Sequence, residues 1–247
     1  MNIENNAPSW DENTSDGFIT GGSIFVPDRA RQYQRICNLL PEPTSTFSVL
    51  DICCGEGLLS YKIAKKSPLY EMFCYDGSPL MLENAKKHFS KLPNRVHFDI
   101  FDLNNFEQSS FPKSCQTVVS SLAIHHLEDK RKQDLFKYVY NLLPHSGLFA
   151  VVDIVLPSCA KAAKIAADDW DIAAYKQSID LTGSLDAYKI FQDDKWNIYH
   201  YLDNKEYMAY DKPSSLYNQL KWLDNAGFSK VDVLWVYAGH AIYYGIK

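Results

Sequence analysis

A chain of 247 residues, 46% hydrophobic and 14% aromatic, can bury one sizeable core, which excludes a wholly disordered polymer. The formal net charge is −5 and Lys and Arg are scattered rather than gathered into a stripe, which argues against a nucleic-acid-binding surface. No apolar run reaches membrane-spanning length and the first residues lack the basic and apolar regions of a signal peptide, so no membrane association is expected and the cytoplasm is the expected compartment.

Six cysteines (Cys37, Cys53, Cys54, Cys74, Cys115 and Cys159) show no CxxC pair and no His at zinc spacing. They read as reduced, mostly buried thiols, and no metal is expected.

Residues 1–22 are rich in Asn, Ser, Asp and Gly and read as a mobile N-terminal segment. Its aromatics Trp10 and Phe18 leave two readings open, a lid that closes over a site or a tail packed loosely on the surface. From Asp28, the spacing Ala30, Tyr33, Cys37, Leu40 predicts an amphipathic helix that Pro41 and Pro43 stop.

The central stretch is VLDICCGEGLLS, Val49 to Ser60. An apolar strand runs into a turn bearing Gly55 and Gly57, and Leu58, Leu59 and Ile63 then begin a helical spacing. Glycines there let backbone pass close to a ligand, and the free N–H groups of the helix start offer donors. About 20 residues on, a second strand, Tyr70 to Tyr75, ends in Asp76, where a carboxylate would take two ribose hydroxyls. A nucleotide-like cofactor is the expected occupant.

Ser78 and Pro79 open the next helix (Leu82, Ala85, Phe89), with Met81 reaching back toward the ligand. A third strand, Arg95 to Ile100, leads to Asp102 and Leu103, of which Asp102 reads either as a ligand contact or as a turn cap. The fourth strand, Cys115 to Ser121, is apolar or small throughout, as a buried parallel strand should be. Its mouth carries Ser120, Ser121, His125 and His126. Open α/β sheets bind ligands outside the carboxyl ends of their strands, so one of these histidines is a candidate base or substrate holder, the alternative being a helix cap and a packing residue.

The fifth strand, Leu148 to Val155, carries Asp153 near its mouth, and residues 156–212 form an insertion. Its first half, Ser158 to Leu181, reads as one long helix with Ile165, Ile172 and Ile179 at seven-residue spacing and Gly183 as a stop. Aromatics from Tyr188 to Tyr210 follow, suiting an apolar or planar substrate beneath them, or a roof that packs on itself or on a second subunit as a homodimer. A helix (Leu216, Leu220, Leu223) and a hairpin, Lys230 to Tyr237 and Ala241 to Ile246, complete the chain.

These motifs resemble the class I S-adenosylmethionine-dependent methyltransferases. The first motif is carried by Asp51, Cys53, Gly55 and Gly57, with Cys53 where the family usually has its first glycine. The segments DIFDL, TVVSSLAIHHL and LLPHSGLFAVVD match later strands and their mouths. Within the superfamily the chain is similar to a group related to the carboxy-S-adenosylmethionine synthases. The resemblance implies a Rossmann-like α/β fold of seven strands in the order 3-2-1-4-5-7-6, the last antiparallel, in a single domain from residue 23 to 247 with the helical insertion after strand five.

It also implies S-adenosylmethionine as cofactor, contacted by Tyr33, Asp51, Cys53, Gly55, Gly57, Asp76, Gly77, Met81, Asp102, Leu103, Ser120 and Ser121. The chemistry expected is in-line methyl transfer to a small-molecule acceptor, with His125, His126 and Asp153 as catalytic candidates and His200 as a further base. Three alternatives stand beside it: an enzyme that modifies the cofactor itself, a noncatalytic module that binds it, and a dinucleotide-dependent dehydrogenase, which the antiparallel final pair disfavours.

Overall fold

The computed structural model describes residues 12–112 and 115–247. Seven strands, β1 (Phe47–Ile52), β2 (Tyr70–Asp76), β3 (Val96–Ile100), β4 (Thr117–Ser121), β5 (Leu148–Ile154), β6 (Lys230–Tyr237) and β7 (His240–Ile246), make one sheet in the order β3-β2-β1-β4-β5-β7-β6. β1 to β5 pair in parallel and β7 runs antiparallel to both β5 and β6, as the resemblance implies. Every residue of β5 is buried, because a central parallel strand is covered on both faces. The edge strands leave Ile100 and Val236 largely exposed.

Helices α2 (Arg29–Leu39), α3 (Leu58–Ala64) and α4 (Pro79–Phe89) cover one face, packing Ile36, Cys37, Leu59, Ile63 and Phe89 on Val49, Met72, Val119 and Val152. On the other, α5 (Asp129–Leu142) and α8 (Leu216–Ala226) bring Leu135, Phe136, Val139 and Leu223 onto Leu50, Val118, Phe149 and Tyr243. Local chemistry sets the helix ends. Ser78 caps α4 by accepting the Met81 N–H at 3.1 Å with Pro79 in its first turn, and Ser215 caps α8.

A third layer lies over the C-terminal ends of the strands. It is built from α1 (Glu12–Phe25), α6 (Ala160–Thr182), α7 (Asp186–Asp193) and a 3-10 turn at Ile198–His200. Its own apolar cluster joins Ile24, Phe25, Trp170, Phe191, Ile198 and Tyr199.

Two elements carry more than the sequence reading gave them. Of the expected mobile segment 1–22, residues 1–11, Trp10 among them, lie outside the described residues, and the remainder forms most of α1. Its composition hides the helix because tertiary packing, not propensity, holds it. Phe25 and Phe18 lie 5.0 and 6.0 Å from the Trp196 ring, and Trp170 Nε1 donates to the Phe25 carbonyl at 2.6 Å. Gly21 is required by that packing, since a Cβ there would sit 2.1 Å from the Phe25 ring. In α6, the isoleucines that mark the helix face outward, and Ala166, Ala167, Trp170, Ala173 and Ala174 form the buried side.

Candidate active site

One cavity of about 820 Å³ opens at the C-terminal ends of β1, β2, β4 and β5 under this third layer. Its first half is the turn after β1. Cys53, Gly55 and Gly57 all have left-handed backbone, with φ of 56°, 55° and 74°. A left-handed conformation costs a non-glycine residue on the order of 1–2 kcal/mol, so Cys53 is held there by its surroundings. The Asp76 carboxylate ties the turn to the next loop, accepting the Gly55 N–H at 2.7 Å and the Ser78 N–H at 2.9 Å.

The two glycines differ. A Cβ on Gly55 would meet only the Met81 sulfur at 3.8 Å, so the backbone is open to the cavity, whereas a Cβ on Gly57 would sit 2.9 Å from Ala85 Cβ. Gly57 thus lets α3 approach α4 and does not line the cavity.

Arg29 enters this half from the start of α2. Its guanidinium is buried, donates from Nε to the Tyr33 hydroxyl at 2.8 Å, lies 3.5 Å from Glu56 Oε1 and stacks over the Phe18 ring at 4.7 Å. The Tyr33 hydroxyl also accepts from Ser121 Oγ at 3.4 Å. Arg29 thus brings a positive charge to the cavity wall, countered in part by the buried Glu56 carboxylate.

The second half is the histidine corner. Asp153, wholly buried at the end of β5, accepts the His125 backbone N–H on one oxygen at 2.8 Å and meets His125 Nδ1 with the other at 2.5 Å. The ring is thereby turned so that Nε2 lies 3.4 Å from Asp211 Oδ1, which is also 3.2 Å from His126 Nδ1. Asp211 comes from the far end of the insertion and is held in place by its neighbours. The Lys212 N–H donates to the His125 carbonyl at 2.8 Å, and buried Lys132 donates to the Lys212 carbonyl and to Ser214 Oγ.

Burial works against charge on His125, but the Asp153 carboxylate, then the Asp211 carboxylate, outweigh it, and the ring titrates at about 10. For His126, burial and then the neighbouring His125 charge act together and keep the ring neutral, below its ordinary range. Asp211 is driven the other way: burial would raise it, but the bonds from His125 and His126 hold it far below the carboxylate range. At neutral pH the corner is an imidazolium clamped between two carboxylates beside a neutral imidazole.

His125, His126 and Asp211 also bring three ligand atoms within 4.8 Å of one another, a spacing a cation could occupy. A cation on His125 Nε2 would compete with the proton that the Asp153 and Asp211 carboxylates favour on that ring. The corner therefore reads as a proton-handling group.

Of the residues expected around a cofactor, Tyr33, Cys53, Gly55, Asp76, Gly77, Met81, Asp102, Leu103 and Ser121 line this one cavity, with His125 and His126. Asp102 also caps the 3-10 turn at Leu103–Gln108, accepting from Asn104 N and Asn105 Nδ2. Asp51, Ser120 and Asp153 do not line it. Asp51 is buried beneath the turn, bonded by Ser60 Oγ at 2.6 Å, and Ser120 Oγ donates to the Ile52 carbonyl. His200 pairs with Asp171 on the outer surface.

Sequence reasoning missed Arg29 and Asp211. Asp211 had one local signal, an acidic residue before Lys-Pro-Ser at the close of the insertion; Arg29 had none beyond its place at a helix start. Phe18, Phe25, Trp170, Trp196, Tyr207 and Tyr210 complete the apolar walls.

Residues 49–147 match the family model described as a methyltransferase domain. The chain is 30% identical over 104 residues to malonyl-[acyl-carrier protein] O-methyltransferase 1 of Ilyobacter polytropus, covering 42% of this chain and 37% of that one. Among curated relatives, the chain matches only between 37% and 55% of their length. Its fold is similar to an O-methyltransferase family 2 protein from Planctomyces limnophilus in complex with apigenin (TM-score 0.63, 17% identity, 98% of this chain and 63% of that one). It is also similar to human N-acetylserotonin methyltransferase in complex with its cofactor (TM-score 0.55, 16% identity, 87% and 51%).

Proposed function

We propose that the chain is a class I S-adenosylmethionine-dependent methyltransferase that transfers a methyl group to a small, largely apolar or planar acceptor; the match of residues 49–147 to a methyltransferase domain and the fold shared with solved methyltransferases support the reading. One observation carries the reading: the glycine turn with Asp76 and the corner of His125, His126 and Asp211, with Asp153 behind His125, line a single cavity.

The residues present fit the cofactor. Asp76 lies on the cavity wall at the end of β2, where its carboxylate faces the site expected for the ribose, the open backbone at Gly55 admits the amino-acid end, and Arg29 is placed for its carboxylate. Met81, Ile100 and Leu103 offer an apolar slot for the base. When bound, S-adenosylmethionine supplies an electrophilic methyl on a sulfonium, so the protein mainly aligns a nucleophile and excludes water.

The acceptor lies under Trp170, Trp196, Tyr207 and Tyr210 with its nucleophilic atom at the histidine corner. His126, kept neutral, takes the proton from an acceptor hydroxyl, while the His125 imidazolium, held between Asp153 and Asp211, keeps a positive charge beside the oxygen as charge develops there. Asp153 is a positioning residue, holding the ring without touching the acceptor.

Calorimetric titration with S-adenosylmethionine and S-adenosylhomocysteine tests the cofactor. Affinity on the order of −8 kcal/mol, or micromolar, is expected, with a loss of about 3 kcal/mol in Asp76→Ala. Absence of binding by either ligand refutes the reading. Labelled-methyl transfer to a panel of phenolic and heteroaromatic acceptors then tests the acceptor class, and turnover of none of them despite tight cofactor binding would favour the noncatalytic alternative.

A further inference from the structure

The helix that roofs the cavity has a second face. On the outer side of α6, Ile165, Ile172 and Ile179 are 56%, 47% and 40% exposed, with Tyr175 beside them at 45%. A seven-residue step drifts only about 20° around a straight α-helix, so the isoleucines form one stripe along the helix axis. Single exposed apolar residues are ordinary, but an aligned row of large aliphatics on an otherwise charged surface marks an interaction face.

The flanking side chains say what covers it. At about 100° per residue, Asp169 and Lys176 fall on one flank of Ile172, and Asp168 and Tyr175 on the other. A two-fold axis through Ile172 that sets two α6 helices antiparallel brings Ile165 onto Ile179 of the second copy and Ile172 onto itself. The same operation puts Lys176 of each copy against Asp169 of the other, and Tyr175 against Asp168, each contact made twice. A parallel pair would set Asp168 of each copy against Asp169 of the other, like charges together twice. The pattern is complementary to its own antiparallel image, which a membrane or an unrelated protein would not require.

We propose that this stripe is the interface with a second copy of the chain, α6 packed antiparallel on α6 about Ile172. The inference goes beyond the catalytic reading and does not depend on it. Because Trp170 on the opposite side of α6 lines the cavity, pairing braces the roof over the acceptor. A contact of one helix with its copy lies at the low end of the area of specific interfaces, below about 1,200 Å², so a reversible dimer is expected rather than a permanent one.

Sedimentation and light scattering across roughly 1–300 µM protein, without cofactor, should show a shift from the 28.2 kDa chain toward twice that mass. Lys176→Asp sets like charges together twice and should raise the dimer dissociation constant about tenfold or more. Adding Asp169→Lys restores opposite signs and should recover the dimer. In a Cys159→Ser background, which removes the exposed thiol, Ile172→Cys should give a covalent dimer on mild oxidation, since that residue lies on the axis. Asp169, Ile172 and Lys176 lie on the outer face of α6 and Cys159 just before its first residue, and circular dichroism should confirm that each variant remains folded. A chain monomeric throughout the range, a dimer indifferent to Lys176→Asp, or binding to anionic phospholipid vesicles in place of self-association would each overturn the proposal.

Discussion

His125 and Asp153 are joined twice: one carboxylate oxygen accepts the His125 backbone N–H at 2.8 Å and the other meets its ring Nδ1 at 2.5 Å. The first bond fixes where the residue sits and the second fixes which way the ring faces. The chain thus presents Nε2, and only Nε2, toward Asp211 and the cavity.

Asp153→Asn should therefore break orientation and charge together. The buried imidazolium loses its main counter-charge, and about 3–5 kcal/mol of stability is at stake when one partner of a buried pair is removed. Turnover should fall by at least about 100-fold, while calorimetry finds cofactor affinity near that of the native chain. A loss confined to cofactor binding would contradict the assignment.

Two groups make the fold less stable as pH rises. His125 titrates at about 10 in the fold, above the ordinary 6.5, so its contribution is complete below pH 6.5 and lost as pH climbs through about 10. Asp51 is raised from 3.8 to about 7, chiefly by burial and against the Ser60 bond. Its folded form holds a proton that the unfolded form has released, so stability declines between pH 3.8 and about 7. Denaturant titrations should show that Asp51→Asn removes the decline in that lower window and leaves the upper one.

The two glycines of the turn should separate stability from binding. Gly57→Ala forces a Cβ to within 2.9 Å of Ala85 at a φ of 74° and should cost about 1–3 kcal/mol in thermal unfolding. Gly55→Ala meets nothing closer than 3.8 Å, so its packing cost is smaller and its effect should fall on cofactor affinity. Equal effects of the two on binding would show that both touch the cofactor.

Chelation gives a third check on the histidine corner. With the corner acting in proton handling through His125 and His126, turnover with an accepted substrate should survive EDTA and gain nothing from added zinc or magnesium. Loss on chelation, restored by one metal, would reassign His125, His126 and Asp211 as ligands.

The sequence by itself determined what is written in short range. Alternation into Gly55 and Gly57 defines strand, turn and helix, Asp76 follows at the end of the next strand, and Ser78 with Pro79 starts α4, because each depends on neighbours within a few residues. The motifs' resemblance to a methyltransferase family implied the strand order that the sheet has, since connections in such sheets leave few alternatives. Only the tertiary structure decided which side chains meet. Asp211 reaches His125 across the whole insertion, and Arg29 reaches Tyr33 and Glu56 through the placing of α2 beside the glycine turn. The isoleucines of α6 have the spacing of a buried face, yet the small alanines and Trp170 pack inward, because the space over the strand ends admits a close helix and one large ring. Periodicity shows that a helix has faces; which face is buried depends on what the rest of the chain places against it.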